Sequence, residues 1–135
     1  WKAAEYTWSL IKHYIENGTN SYLYWNMILD ETGKSQWGWK QNSLISVDSK
    51  TGRHRFNPEY YLFKHLTHFV KPGAKKLVTP ENYEHGLFFL NPGNEICGVL
   101  VNDSFDMKSI QIEVNGRFLV IMLQPRSFNS ISYIP

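Results

Sequence analysis

The sequence predicts an α+β chain in two parts: the last strand–helix unit of a (β/α) barrel over residues 1–72, then an antiparallel β-sandwich over 73–135. Three observations predict it. The first half runs helix, apolar strand, long aromatic loop, helix, which is the order at the end of such a barrel. The run Tyr22–Leu29 is apolar on both faces, as in strands covered on both sides. After Gly73 short apolar runs alternate with turn signals, the mark of a small all-β unit.

In chain order, WKAAEYTWSLIKHYIENG reads as a helix, because Trp1, Ala4, Trp8, Ile11 and Ile15 recur at three- and four-residue steps. Asn17-Gly18 stops it, glycine being free to take the left-handed position. A helix with no cap before residue 1 reads as the tail of something larger. In the expected strand 22–29, Leu23, Trp25, Met27 and Leu29 share one face, and Tyr22, Tyr24 and Ile28 the other. The loop that follows carries Gly33 and Trp37-Gly38-Trp39. Ser43–Asp48 reads as a short strand, 48–52 as a turn, and Arg53–Phe56 as the returning partner. Asn57-Pro58-Glu59 is a helix start, with Asn as cap, Pro at the first helical position and an acid in the first turn. That helix runs to about Val70, before Pro72-Gly73.

In the second part the expected strands are Lys76–Val78, Leu87–Leu90, Ile96–Val101, Ser109–Val114, Phe118–Leu123 and Ser130–Ile134. Asn91-Pro92-Gly93-Asn94 and Asn115-Gly116 read as hairpin turns. Ile110, Ile112 and Val114 alternate with Gln111, Glu113 and Asn115, as in a half-buried antiparallel strand.

Composition bounds the function. Hydrophobic residues make up 42% and charged ones 19%, which is globular rather than disordered. A net charge of +2 with scattered Lys and Arg is too mild for a nucleic-acid surface. No apolar run is long enough for a membrane helix, and the first residues read as an amphipathic helix rather than a leader. The single cysteine, Cys97, leaves no internal disulfide and lies in an apolar run, so it reads as a small buried hydrophobe. Nucleophile motifs, phosphate loops and zinc spacings are absent, so no cofactor or metal is expected.

Aromatic residues reach 16% and crowd the first half. Two tryptophans in one loop, after a strand that carries Trp25-Asn26, suggest a surface for a flat partner. Sugar rings fit, since their C–H faces lie on an indole whose N–H still donates. The competing reading has the same tryptophans packing the loop onto the body of the protein.

The motifs YxYWNMxLDxxG at 22–33, SxWGWxQNSL at 35–44, PEYYxxKHLTHFVKPGA at 58–74 and LFFLNP at 87–92 together resemble glycoside hydrolase family 30, the group of glucosylceramidases and microbial β-1,6-glucanases. The resemblance implies the last strand–helix unit of a (β/α)8 barrel with its fused β-sandwich, which in the family also takes strands from before the barrel. It implies a β-glucoside, glucan or glycolipid as substrate, the rest of the barrel as partner, and a secreted, periplasmic or cell-surface location. It implies retaining chemistry, whose two carboxyl groups stand about 5–5.5 Å apart. In the family these are Glu residues at the ends of the fourth and seventh barrel strands. Both would precede residue 1, so no catalytic pair is expected in this chain.

Trp25 is the leading binding candidate, because the matching tryptophan of the family lines the glycone pocket; a tryptophan of the barrel core is the competing reading. Trp37 and Trp39 are candidates for the pocket rim, one facing sugar and one packing. Asn26 should point away from the Trp25 side and act as a structural hydrogen-bonder. Asp30 and Glu31, adjacent in extended chain, point to opposite faces and cannot converge on one bond; they read as solvated loop carboxylates. His65 and His68 share a metal-like spacing but have no acidic or thiol partner, and read as packing toward the sandwich. His13, His54 and His85 read as isolated and exposed. Asn17-Gly18-Thr19 and Asn102-Asp103-Ser104 are glycan acceptors only in a eukaryotic secretory setting. The alternative from another class is a non-catalytic carbohydrate-binding or cell-surface sandwich module.

Overall fold

A computed structural model describes residues 1–79 and 83–135. The described chain forms two compact units, Trp1–Lys64 and His65–Pro135.

The first unit opens with helix α1 (Lys2–Glu16). The predicted stripe faces inward: Ala4, Trp8 and Ile11 are buried, with Thr7 beside them. Gly18, at φ 90°, turns the chain out of the helix. A parallel pair follows, β1 (Ile28–Asp30) against β2 (Ile45–Val47), and β3 (His54–Phe56) returns antiparallel to β2. Helix α2 (Pro58–Phe69) starts at the predicted proline. Its first half belongs to this unit, where Glu59 and Leu62 are buried.

The expected strand at 22–29 is corrected here. Only Ile28–Asp30 is strand, because a strand needs a paired neighbour and β2 reaches no further back than Asn26 and Met27, whose carbonyls accept from Leu44 and Ile45. Residues 22–27 still alternate, but burial is on one face only. Tyr22 and Tyr24 are half-buried, whereas Leu23 is 93% exposed and Trp25 and Met27 share its open face. The covered face is aromatic: Tyr24 meets Phe63 at 5.2 Å between ring centroids, and Tyr22 lies 6.1 Å from both Phe63 and Tyr14.

The second unit is a two-layer sandwich. One sheet has the order β4 (Lys75–Lys76), β5 (Gly86–Leu90), β6 (Ile96–Asn102), β9 (Ser127–Tyr133), all antiparallel. The other is the hairpin β7 (Lys108–Val114) and β8 (Arg117–Leu123). Asn115 and Gly116, both at positive φ, form its two-residue turn, as the Asn-Gly pair predicts. The core between the layers is Phe88, Leu100 and Leu123, flanked by Ile110, Ile112, Ile121 and Ile131. Phe88 pairs directly across from Gly98, and its ring fills the space that a side chain at 98 would need. Cys97 is fully buried.

The end of α2 is tied into this unit. His65 Nδ1 lies 2.8 Å from Ser130 Oγ on β9. Buried Asn91 donates from Nδ2 to the Phe69 carbonyl at 2.8 Å and accepts the Lys71 N–H at 2.9 Å. Of the two sequons, Asn17 is exposed. Asn102 is fully buried, and its amide donates to the carbonyls of Asp106, Leu123 and Gln124. His85 departs from the isolated, exposed reading: it is half-buried, with Nδ1 3.9 Å from an Asp103 oxygen.

Candidate functional site

Three indoles stand open on the first unit. Trp25 is 75% exposed, and Trp37 and Trp39 are 66% exposed each. Exposure alternates along this segment: Tyr24 is half-buried, and Trp25 beside it is open. The Tyr24 hydroxyl engages Thr7 of α1 and Glu59 of α2. Burial first, then the neighbouring Glu59 carboxyl, push this hydroxyl up to about 12. Tyr24 is thus a neutral anchor, and Trp25 stands open next to it. The Trp25–Asn26 peptide bond is cis.

Trp37 and Trp39 sit at the tip of a small hairpin. Lys34 and Lys40 form a bridge, Ser35 N–H donates to the Trp39 carbonyl at 2.9 Å, and Gly38 N–H closes a turn onto the Ser35 carbonyl at 2.8 Å. Gly38, at φ 81°, supplies the left-handed residue that this turn needs. The two rings lie 6.0 Å apart between centroids and are tilted by 36°. Both rings are equally open and lie side by side. No ring contact among the described residues joins Trp25 to this pair.

Asn26 is a hydrogen-bonder. Its Nδ2 donates to Gln41 Oε1 at 2.7 Å, and its backbone bonds Asn42 and Leu44. Asp30 and Glu31 are held by separate partners. Asp30 Oδ1 accepts from the Thr32 N–H and hydroxyl at 2.9 and 2.6 Å. Glu31 accepts from the N–H and hydroxyl of Ser49, both at 2.8 Å. These bonds hold both carboxyls below their ordinary values, so they stay ionised and are unsuited to proton donation near neutrality. His65 is bonded to Ser130, and His68 is exposed. No cluster of three or more His, Cys, Asp or Glu able to hold a metal ion occurs among the described residues. No helix of the described residues is long and apolar enough to cross a membrane.

A polar cleft of about 240 Å³ opens in the first unit, lined by Asp30, Glu31, Gln41, Arg55 and Glu59 among others. None of the three tryptophans lines it; they occupy open surface. Sequence reasoning missed Tyr24, Glu59 and Gln41. Glu59 was legible only as an acid in the first turn of a helix, and nothing local to Gln41 marks its partner.

No family model matches this chain, and no curated protein matches it. Solved structures do. The crystal structure of SrfJ from Salmonella typhimurium superposes with a TM-score of 0.82 at 20% identity, over 95% of this chain and 30% of that one. The endo-β1,6-glucanase BT3312 superposes with a TM-score of 0.78 at 22% identity, over 92% of this chain and 29% of that one. The chain therefore spans less than a third of the length of these structures, and at such identity the likeness is one of fold.

Proposed function

We propose that this chain is the C-terminal region of a glycoside hydrolase of the family 30 type, a retaining β-glycosidase that cleaves β-linked glucosides or glucans. In this reading residues 1–72 close a (β/α)8 barrel and residues 73–135 form its fused sandwich. Trp25, Trp37 and Trp39 present an aromatic wall to the sugar. The catalytic Glu pair lies in sequence upstream of residue 1, and the protein acts outside the cytoplasm, secreted or at the cell surface.

The observation that carries the reading is the set of three open indoles on the first unit, one of them next to the anchored Tyr24. Clustered exposed tryptophan marks a surface that a partner covers, and indole faces suit the C–H faces of a pyranose. The fold likeness to an endo-β1,6-glucanase agrees with a saccharide partner. The two loop carboxylates are fixed as anions in turns, which fits catalysis by groups supplied elsewhere.

The test is hydrolysis of aryl β-glycosides and β-1,6-glucan by the protein that includes the upstream sequence, beside the 135-residue chain alone. Activity is expected for the former and none for the latter. Turnover by the short chain would displace the assignment of the carboxylates. Saccharide binding without turnover in both would favour a binding module.

A further inference from the structure

The hairpin that carries Trp37 and Trp39 is held at its base by few bonds. Within residues 33–41 the backbone bonds are internal: Ser35 to Trp39, Gly38 to Ser35, and Gln41 to Gly33 at 2.8 Å. On the N-terminal side, Gly33 and Lys34 bond to the adjoining turn at Asp30 and Thr32. The backbone ladder to the Trp25 segment begins only at Asn42, whose carbonyl accepts from Asn26 N–H at 3.3 Å, and continues through Leu44 and Ile45. Among the described residues, one side-chain bond ties the hairpin to that segment: Asn26 Nδ2 to Gln41 Oε1, at 2.7 Å and partly buried. Asn26 directly follows Trp25, and Gln41 stands two residues after Trp39.

We propose that the Asn26–Gln41 amide pair is a positioning element that sets the Trp37–Trp39 pair relative to Trp25. The proposal rests on the reading above in one respect: the geometry matters for function only if the three indoles share one saccharide. A multi-ring sugar gains from several stacking surfaces only when these are fixed beforehand. Otherwise each contact must also offset the ordering of a loose loop. A partly buried amide–amide bond is suited to that task, because leaving its donor unpaired is unfavourable and the bond carries no titrating group.

The experiment uses the full chain labelled with ¹⁵N at its indoles, with signals assigned by single Trp→Phe substitutions. Gln41→Leu removes the acceptor at similar size. Gln41→Glu keeps an oxygen in place to accept from Asn26. The expected result for Gln41→Leu is a shift of the Trp25 signal together with those of Trp37 and Trp39, and faster amide exchange across residues 34–40. Binding of β-1,6-linked gluco-oligosaccharides should weaken by roughly tenfold. Gln41→Glu should restore all three readouts. The proposal is overturned if Gln41→Leu leaves the Trp25 signal and the hairpin exchange unchanged, or if Gln41→Glu is no better than Gln41→Leu. Spectral coupling and rescue in a wild-type chain that binds no saccharide would support the positioning link and remove the saccharide reading, so the two failures are told apart.

Discussion

The hydroxyl of Tyr24 sits against the carboxyl of Glu59, a residue only 4% exposed on the first turn of α2. With Thr7 on its other side, this phenol joins both helices of the first unit to the segment that bears Trp25. Tyr24→Phe keeps the ring against Phe63 but leaves Thr7 and Glu59 without their shared partner. The expected loss is about 1–2 kcal/mol, read from the urea midpoint at unchanged slope. An unaltered midpoint would mean that the ring alone anchors the segment.

The same hydroxyl sets an alkaline limit. Its folded value of about 12 exceeds the ordinary 10, so the fold favours the protonated form. That contribution is complete below pH 10 and is lost as pH rises toward 12. Burial also raises Tyr22 and Tyr83, so absorbance at the tyrosinate band should show several late tyrosines, and Tyr24→Phe should remove the component near 12.

Asp30 and Glu31 behave in the opposite sense. Both are depressed in the fold, Asp30 chiefly by the Thr32 hydroxyl and Glu31 chiefly by the Ser49 N–H. Their support for the turns at 30–33 and 48–52 is present above the ordinary values of 3.8 and 4.5 and disappears as pH falls through the lower folded values. Carboxyl chemical shifts followed by NMR should place both midpoints below those values. In Glu31→Gln the amide exchange of Ser49 should quicken at neutral pH, and an unchanged rate would argue against this tether.

Trp37 and Trp39 should act as one surface. Because their rings lie 6.0 Å apart, removing either exposes a flank of the other. In saccharide binding, Trp37→Ala and Trp39→Ala should each cost about 0.5–1.5 kcal/mol, and the double variant less than their sum. Strict additivity would show two independent contacts.

Asn91 is the fastener of the second unit. It bonds Phe69, Lys71 and Glu95 from a buried position at the β5–β6 turn. Asn91→Ala should cost about 2–3 kcal/mol in chemical denaturation. Asn91→Asp should cost at least as much, since it loses both donated bonds and sets a carboxylate beside Glu95. A milder effect for Asp than for Ala would show that the accepted bond from Lys71 dominates.

Local signals were legible wherever one segment carried them. The stripe from Ala4 to Ile11, the Asn57-Pro58-Glu59 start, the Asn115-Gly116 turn and the alternation along 110–114 each found their element. The strand at 22–29 was over-read because its apolar faces describe what could cover it, whereas strand structure depends on a paired neighbour: backbone bonds begin at Asn26, and strand pairing at Ile28. Within the candidate site the three tryptophans were legible by type. Tyr24–Glu59 and Asn26–Gln41 were not, because each joins positions far apart in sequence with no local mark of the match. The relation between Trp37 and Trp39 was not legible either, since turn geometry decides whether both rings emerge on one side.

Gly98 and Phe88 form a matched socket and plug. A Cβ built at 98 would fall 2.8 Å from the Phe88 ring and 3.0 Å from Ile131, with backbone on either side paired into the sheet. Neither position is therefore free to drift alone. A genetic selection begun from a Gly98→Ala clone would be expected to return second-site revertants in which Phe88 has become smaller, making the two codons one heritable unit.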